Sequence, residues 1–133
     1  MRVILGVGCD RGTSIQTLEV AINIALQQAN LDRHAIHALA TIDKKNDEVA
    51  LLSLSAEYNW PLNYYTAAQL AKVEVPNPSE VVRKYMGTPA VAEAAALLAA
   101  NTDMKDLIVE KVKYLGDDKK NATVSIVRMH DEQ

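Results

Sequence analysis

The sequence predicts an α/β protein, a three-layer α/β/α arrangement around a mixed, mostly parallel sheet of about five strands that ends in an antiparallel hairpin. Two observations carry this expectation. Apolar runs of strand length alternate with segments of helical periodicity over residues 2–70, and helical crossovers imply parallel pairing of the strands they join. The last part of the chain changes style. Two strand-like runs, residues 107–114 and 122–129, flank a polar turn at residues 116–121, the pattern of a hairpin.

The first strand covers residues 2–8, with Val3, Ile4 and Leu5 as its apolar body. Thr13 and Gln16 stand at capping-box spacing, which starts the first helix near Ser14. Leu18, Ile22, Ala25, Leu26 and Ala29 recur at helical spacing, and Asn30 ends the helix. Residues 35–42 are almost continuously apolar, as suits a strand covered on both faces. A charged loop, residues 43–48, leads into a second helix at about 47–58 with Val49, Leu52 and Ala56 on one side. Trp60-Pro61 stops it, because a residue before proline resists helical geometry. Residues 62–65 form a short third strand, and Thr66 with Gln69 makes a capping box for a helix through about Leu70. Pro76 and Pro78 mark a rigid loop, Ser79 caps a helix to about Met86, and Gly87 fits its stop. Thr88-Pro89 restarts a helix at once, about 89–100, rich in alanine and so able to pack closely on a neighbour.

A chain of 133 residues has single-domain length, and residues 1–133 are read as one domain with one core. Its 49% hydrophobic and 23% charged residues are ordinary for a globular protein. A net charge of −3 supplies no global field for nucleic acid or an anionic membrane, so neither is an expected partner and any anion site must be local. Few aromatics leave little material for base stacking. Cys9 is the sole cysteine, which excludes an internal disulfide and a cysteine-based metal cluster and fits a cytoplasmic protein. The N-terminus reads as a strand rather than a signal peptide, and no stretch approaches about 18 uninterrupted apolar residues. No metal or cofactor is expected. His34, His37 and His130 are scattered, and the first two fall on opposite faces of a strand start.

In open α/β sheets, sites gather beyond the carboxyl ends of the parallel strands. That edge would hold residues 9–14, 43–48 and 66. The glycine turn at residues 6–14 places Gly6, Gly8 and Gly12 before a helix whose free N–H groups and dipole make a ready anion site, with Arg11 as a fixed positive charge. Its third glycine comes one place late for a dinucleotide fingerprint, and no clear acid follows at the required distance. A tight turn with no ligand is the plain alternative. Cys9 lies just before a helix start and near Arg11, features that favour a thiolate, but no histidine motif accompanies it and simple packing explains it as well. Asp43, Asp47 and Glu48 with Lys44 and Lys45 can set a general base beside anion-binding groups, or form a solvated turn. Glu93, in the first turn of the alanine-rich helix, suits the helix dipole. Lys111 and Lys113 share a strand face, reaching ligand carboxylates or facing solvent on an edge.

These segments together resemble the CobE/CbiG C-terminal-domain family of cobalamin biosynthesis. GVGCDRGT at residues 6–13 is similar to its opening motif and TIDKKNDE at residues 41–48 to its second. PNPSEVV at 76–82, VAEAAAL at 91–97 and NATVSIVR at 121–128 follow in the same order. Asp10 stands where the family motif is expected to be basic. The CbiG proteins carry further domains ahead of this one, and a chain that begins at strand one looks like the stand-alone CobE type or an isolated domain. The resemblance implies a precorrin or cobalt-precorrin tetrapyrrole, rich in carboxylates, as ligand. In CbiG-type proteins, water adds to the δ-lactone carbonyl of cobalt-precorrin-5A and a two-carbon fragment leaves as acetaldehyde. On this reading Cys9, Arg11, Gly12, Thr13, Ser14, Lys45, Glu93 and Lys111 are the expected substrate-binding residues. Asp43, Asp47 and Glu48 are the candidates for the base. Other corrin-pathway enzymes are expected partners, and the alanine-rich helix and C-terminal edge strand are candidates for docking or homodimer formation. A non-catalytic interaction module serving another corrin-pathway enzyme is the alternative.

Overall fold

A computed structural model describes residues 1–73 and 91–130. Strand β1 (Arg2–Cys9) is followed by α1 (Ile15–Ala29), β2 (Ile36–Ile42), α2 (Val49–Tyr58), β3 (Leu62–Tyr65) and α3 (Ala67–Ala71). Helix α4 (Val91–Ala100) then precedes the hairpin β4 (Leu107–Leu115) and β5 (Asn121–Met129). The expected proline loop, the helix capped by Ser79, the restart at Pro89 and the motif at residues 76–82 lie outside the described residues.

The sheet order is β3-β2-β1-β5-β4. β1 pairs with β2, and β2 with β3, in parallel. β5 inserts antiparallel between β1 and β4, so it alone runs against the other four strands. Alternation along β1 assigns its two faces. Val3, Leu5 and Val7 pack under α1 and α2 with Leu18, Ile22, Leu51, Leu54, Val124 and Ile126. Ile4 joins Ala38, Ala40, Ile42, Leu70, Val127 and the Ala94–Leu97 stretch of α4 on the opposite face. The result is three layers, as the periodicities predict.

Helix ends follow local chemistry with small shifts from the sequence reading. Ser14, not Thr13, caps α1, and its hydroxyl accepts the Thr17 N–H. Helix α2 begins at Val49, with Glu48 as an extended N-cap whose side chain turns to Gly12 instead of capping the helix. Thr66 and Gln69 form the expected capping box. Asn30, Asn59 and Asn101 take left-handed conformations where the helices stop. The small residues of α4 are consumed by the sheet. Ala92, Ala94, Ala95 and Ala96 are buried, so this face is not a free docking surface.

Close packing of α4 also explains Gly6. A Cβ built there would lie 1.7 Å from the Ala92 carbonyl oxygen. The first glycine of the turn therefore serves a helix far along the chain rather than the helix that follows it.

Candidate functional site

At the carboxyl ends of β1 and β2 the chain forms a cleft of about 330 Å³. Gly8 and Cys9 end β1, Ile42 ends β2, Lys45 follows it, and Val91, Ala92 and Glu93 open α4. Lys111 and Lys113 from β4 and Asn121 and Thr123 from β5 complete the far wall, beside Asp10 and Arg11. The register explains the wall: Gly8 pairs with Thr123, which pairs with Lys113, so one cross-strand row crosses the cleft. Gly8 keeps that row open. A Cβ there would meet only Thr123 Cβ, at 4.0 Å.

The glycine turn binds anions, but they are its own. Gly12 N–H donates to Glu48 Oε2 at 2.8 Å. Ser14 N–H donates to Asp118 Oδ2 at 2.9 Å, and Thr17 Oγ1 donates to Asp118 Oδ1 at 2.9 Å. Thr13 N–H and Oγ1 both turn to the Asp10 carbonyl, at 3.3 and 2.5 Å. The amides of Gly12, Thr13 and Ser14 thus meet internal acceptors, which fill the dipole end of α1. Those amide bonds to Asp118 hold its carboxyl down at about 2. The Asp10 carboxylate likewise has an internal partner. It accepts the Asn121 N–H at 2.7 Å and ties β1 to the start of β5.

Arg11 is engaged in the same way. Its guanidinium donates to Asp47 Oδ1 at 2.6 Å, to Glu48 Oε1 at 3.3 Å and to the Lys44 carbonyl at 3.1 Å. The Arg11 side chain is 61% exposed, Asp47 73% and Glu48 only 4%. Glu48 is a buried clasp between the two loops, and Arg11 holds the Asp47 carboxyl below its ordinary value. Both acids are committed to loop structure, and neither lines the cleft; nor does Asp43, which lies half-buried in the loop. The three acids nominated from the sequence as the base therefore stand outside it.

Two carboxylates do line the cleft, Asp10, which is bound to Asn121, and Glu93. Glu93 is 0% exposed, and among the described residues neither of its carboxyl oxygens has a hydrogen-bond partner. Burial pushes its pKa up to about 7, with Lys111 pulling it down and Glu110 adding to the rise. A lone acid in an otherwise apolar helix was the available signal, since a helix so apolar must lie on a sheet. Cys9 also lines the cleft, and burial raises its thiol pKa, which argues against a thiolate nucleophile. Lys45, Lys111 and Lys113 bring three cations to the same space, so the strand face shared by Lys111 and Lys113 is the one that borders the cleft.

A family model described as cobalamin synthesis G C-terminus matches residues 3–127. The chain belongs to this family. Cobalt-precorrin-5A hydrolase of Priestia megaterium is 36% identical over 107 residues, 80% of this chain but 29% of that protein, so the chain spans under a third of this relative. Protein CobE of Sinorhizobium sp. is 33% identical over 112 residues, 83% of this chain and 72% of its own length. The crystal structure of CobE, a protein from the cobalamin (vitamin B12) biosynthetic pathway, superposes with a TM-score of 0.79 at 30% identity, covering 97% of this chain and 92% of that one. Within this cobalamin-biosynthesis family, the five-stranded mixed sheet with helices on both faces is the shared fold. Among the described residues no helix is long and apolar enough to cross a membrane.

Proposed function

We propose that this chain binds a carboxylate-rich precorrin or cobalt-precorrin intermediate of cobalamin biosynthesis, with the cleft at the carboxyl sheet edge holding one rim of the macrocycle. The observation that carries the reading is the convergence of Lys45, Lys111 and Lys113 from two separate elements on one cleft in a chain of net charge −3. Ammonium groups pair with carboxylates, and a local cationic wall in an acidic protein selects an anionic ligand. A cleft of about 330 Å³ suits the carboxylate-bearing side chains at a macrocycle edge rather than the whole ring. The names of the relatives support a contribution to lactone opening, and Glu93 is the acid placed to assist it.

Titration with uroporphyrin, a tetrapyrrole rich in carboxylates, tests the binding. Lys45→Ala, Lys111→Ala and Lys113→Ala are each expected to weaken it by about three- to tenfold. Arg11→Ala should act less, because Asp47 and Glu48 already neutralise that charge. Gly8→Leu adds a side chain where the backbone leaves room and should abolish binding while the protein stays folded. Binding indifferent to all of these overturns the reading. Acetaldehyde release from cobalt-precorrin-5A by the pure chain tests the lactone chemistry. Release only after a partner domain is added assigns the hydrolysis to that partner.

A homodimer or docking role has less support. With the alanine face of α4 buried, β4 is the remaining candidate among the described residues. Its exposed Ile108 and Leu115 are interspersed with Glu110, Lys111 and Lys113, charges that resist strand addition at an edge. Sedimentation as a monomer at high concentration would remove that reading.

A further inference from the structure

Glu93 carries an inference that rests on the polycarboxylate reading and deepens it. A fully buried carboxyl without a hydrogen-bond partner is costly to the fold, and such groups cluster where a protein does chemistry or recognition. This one sits at the opening of α4, buried in the lining of a cleft that three lysines also line. An incoming carboxylate would find ammonium groups and a carboxyl in the same lining. Two carboxyl groups at hydrogen-bond distance do not both stay ionised, so one of them must hold a proton.

We propose that Glu93 is the recognition group of the cleft that donates a proton-borne hydrogen bond: it meets one ligand carboxylate as a neutral acid, its O–H donated to the ligand, so that binding draws a proton from solvent wherever the free carboxyl is ionised. The lysines take the ligand's other carboxylates. Cys9, Asp10 and Arg11 from the end of β1, Lys45 after β2, and Lys111 and Lys113 from β4 line the cleft with Glu93, Glu110 acts on it electrostatically, and Tyr65 at the end of β3 packs against the core cluster under α4. Arg11 is paired with Asp47 and Glu48, and Asp10 is bound to Asn121. Burial raises the pKa of both Cys9 and Tyr65, which keeps each neutral. The free Glu93 carboxyl, raised to about 7, is half protonated near neutrality and needs only a further rise to stay protonated in the complex.

Calorimetric titration of the intact chain with uroporphyrin, in two buffers of different ionisation enthalpy, reads the proton directly. At about pH 7 the wild type is expected to take up about half a proton per ligand, and its affinity to fall about tenfold between about pH 6 and about pH 8. Glu93→Gln should take up none and show an affinity flat across that range. Carboxyl-carbon NMR on the wild type, with labelled glutamate, keeps the proposal testable if that variant fails to fold. At about pH 8 the Glu93 signal should move to its protonated position when uroporphyrin is added. Binding without proton uptake, the same uptake in Glu93→Gln, or a Glu93 that stays ionised in the complex overturns this inference and leaves the ligand reading standing. Absence of binding to the wild type overturns both.

Discussion

The Asp118 carboxylate accepts the Ser14 backbone N–H at 2.9 Å across 104 residues of sequence. It also takes Thr17 Oγ1 and the Lys120 N–H, so the β4–β5 hairpin supplies the acid that the first turn of α1 lacks. A helix N-terminus that reads as an anion site is thereby closed by the protein itself.

Asp118→Ala should lower the melting temperature by about 5 °C, since it leaves the first turn of α1 without its acceptor. The pH dependence has a definite sign. A carboxyl whose folded pKa is lowered from 3.8 to about 2 binds fewer protons folded than unfolded in that window. Its stabilisation is complete above about pH 4 and is lost as pH falls toward about 2. Asp106, tied to Thr102, His130 and Arg128, is also lowered to about 2 and acts in the same window. Thermal melts of Asp118→Ala should therefore show a shallower acid slope than the wild type, not a flat one. An unchanged slope would sink the assignment.

Gly6→Ala should be strongly destabilising, by about 3 kcal/mol or more, because the added methyl meets a backbone carbonyl of α4 rather than a movable side chain. Gly8→Ala, two residues along the same face, should stay within about 1 kcal/mol of the wild type. Urea denaturation of the pair compares them directly. Equal losses would show that α4 does not close on β1 as described.

Glu93→Gln should stabilise the ligand-free protein in alkaline solution. The folded state holds the Glu93 proton up to about pH 7, whereas the unfolded chain releases it near 4.5. Stability is therefore expected to fall as pH rises between those values and then level off. Removing the charge should recover on the order of 2–3 kcal/mol above about pH 7, read from urea midpoints across the pH range. A variant less stable than the wild type at that pH would mean that Glu93 has a stabilising partner when ionised. Gained stability with altered binding is the usual mark of a residue kept for function.

The fold was legible because its signals are local. The apolar run of β1, the period of α1 and the Thr66–Gln69 box each depend on neighbouring residues. The cleft was only half legible. Cys9, Arg11 and Lys45 sit at strand ends where topology concentrates sites, and their approximate placement followed from strand order. Which charges remain open to a ligand did not follow. Arg11 and Glu48 are 37 residues apart, and Asp118 reaches Ser14 from the far hairpin, so their mutual neutralisation is a tertiary fact. Glu93 entered the expected site through the family resemblance rather than through its local sequence. The helix dipole explained it too easily, while its apolar neighbours Ala92, Ala94 and Ala95 already said that it would be buried.

β5 lies between β1 and β4, and its register pairs Arg2 with Met129 and Cys9 with Ala122. On a growing chain β1 therefore waits, with one edge unpaired, until residues 121–129 have followed it. β1, β2 and β3 cannot settle early as an independent half, because α4 and β5 supply much of the cover for β1. Closing so long a loop carries an entropic cost before any contact rewards it, which makes a late, cooperative and comparatively slow folding step the natural consequence of a central strand so distant in sequence from its neighbour β1.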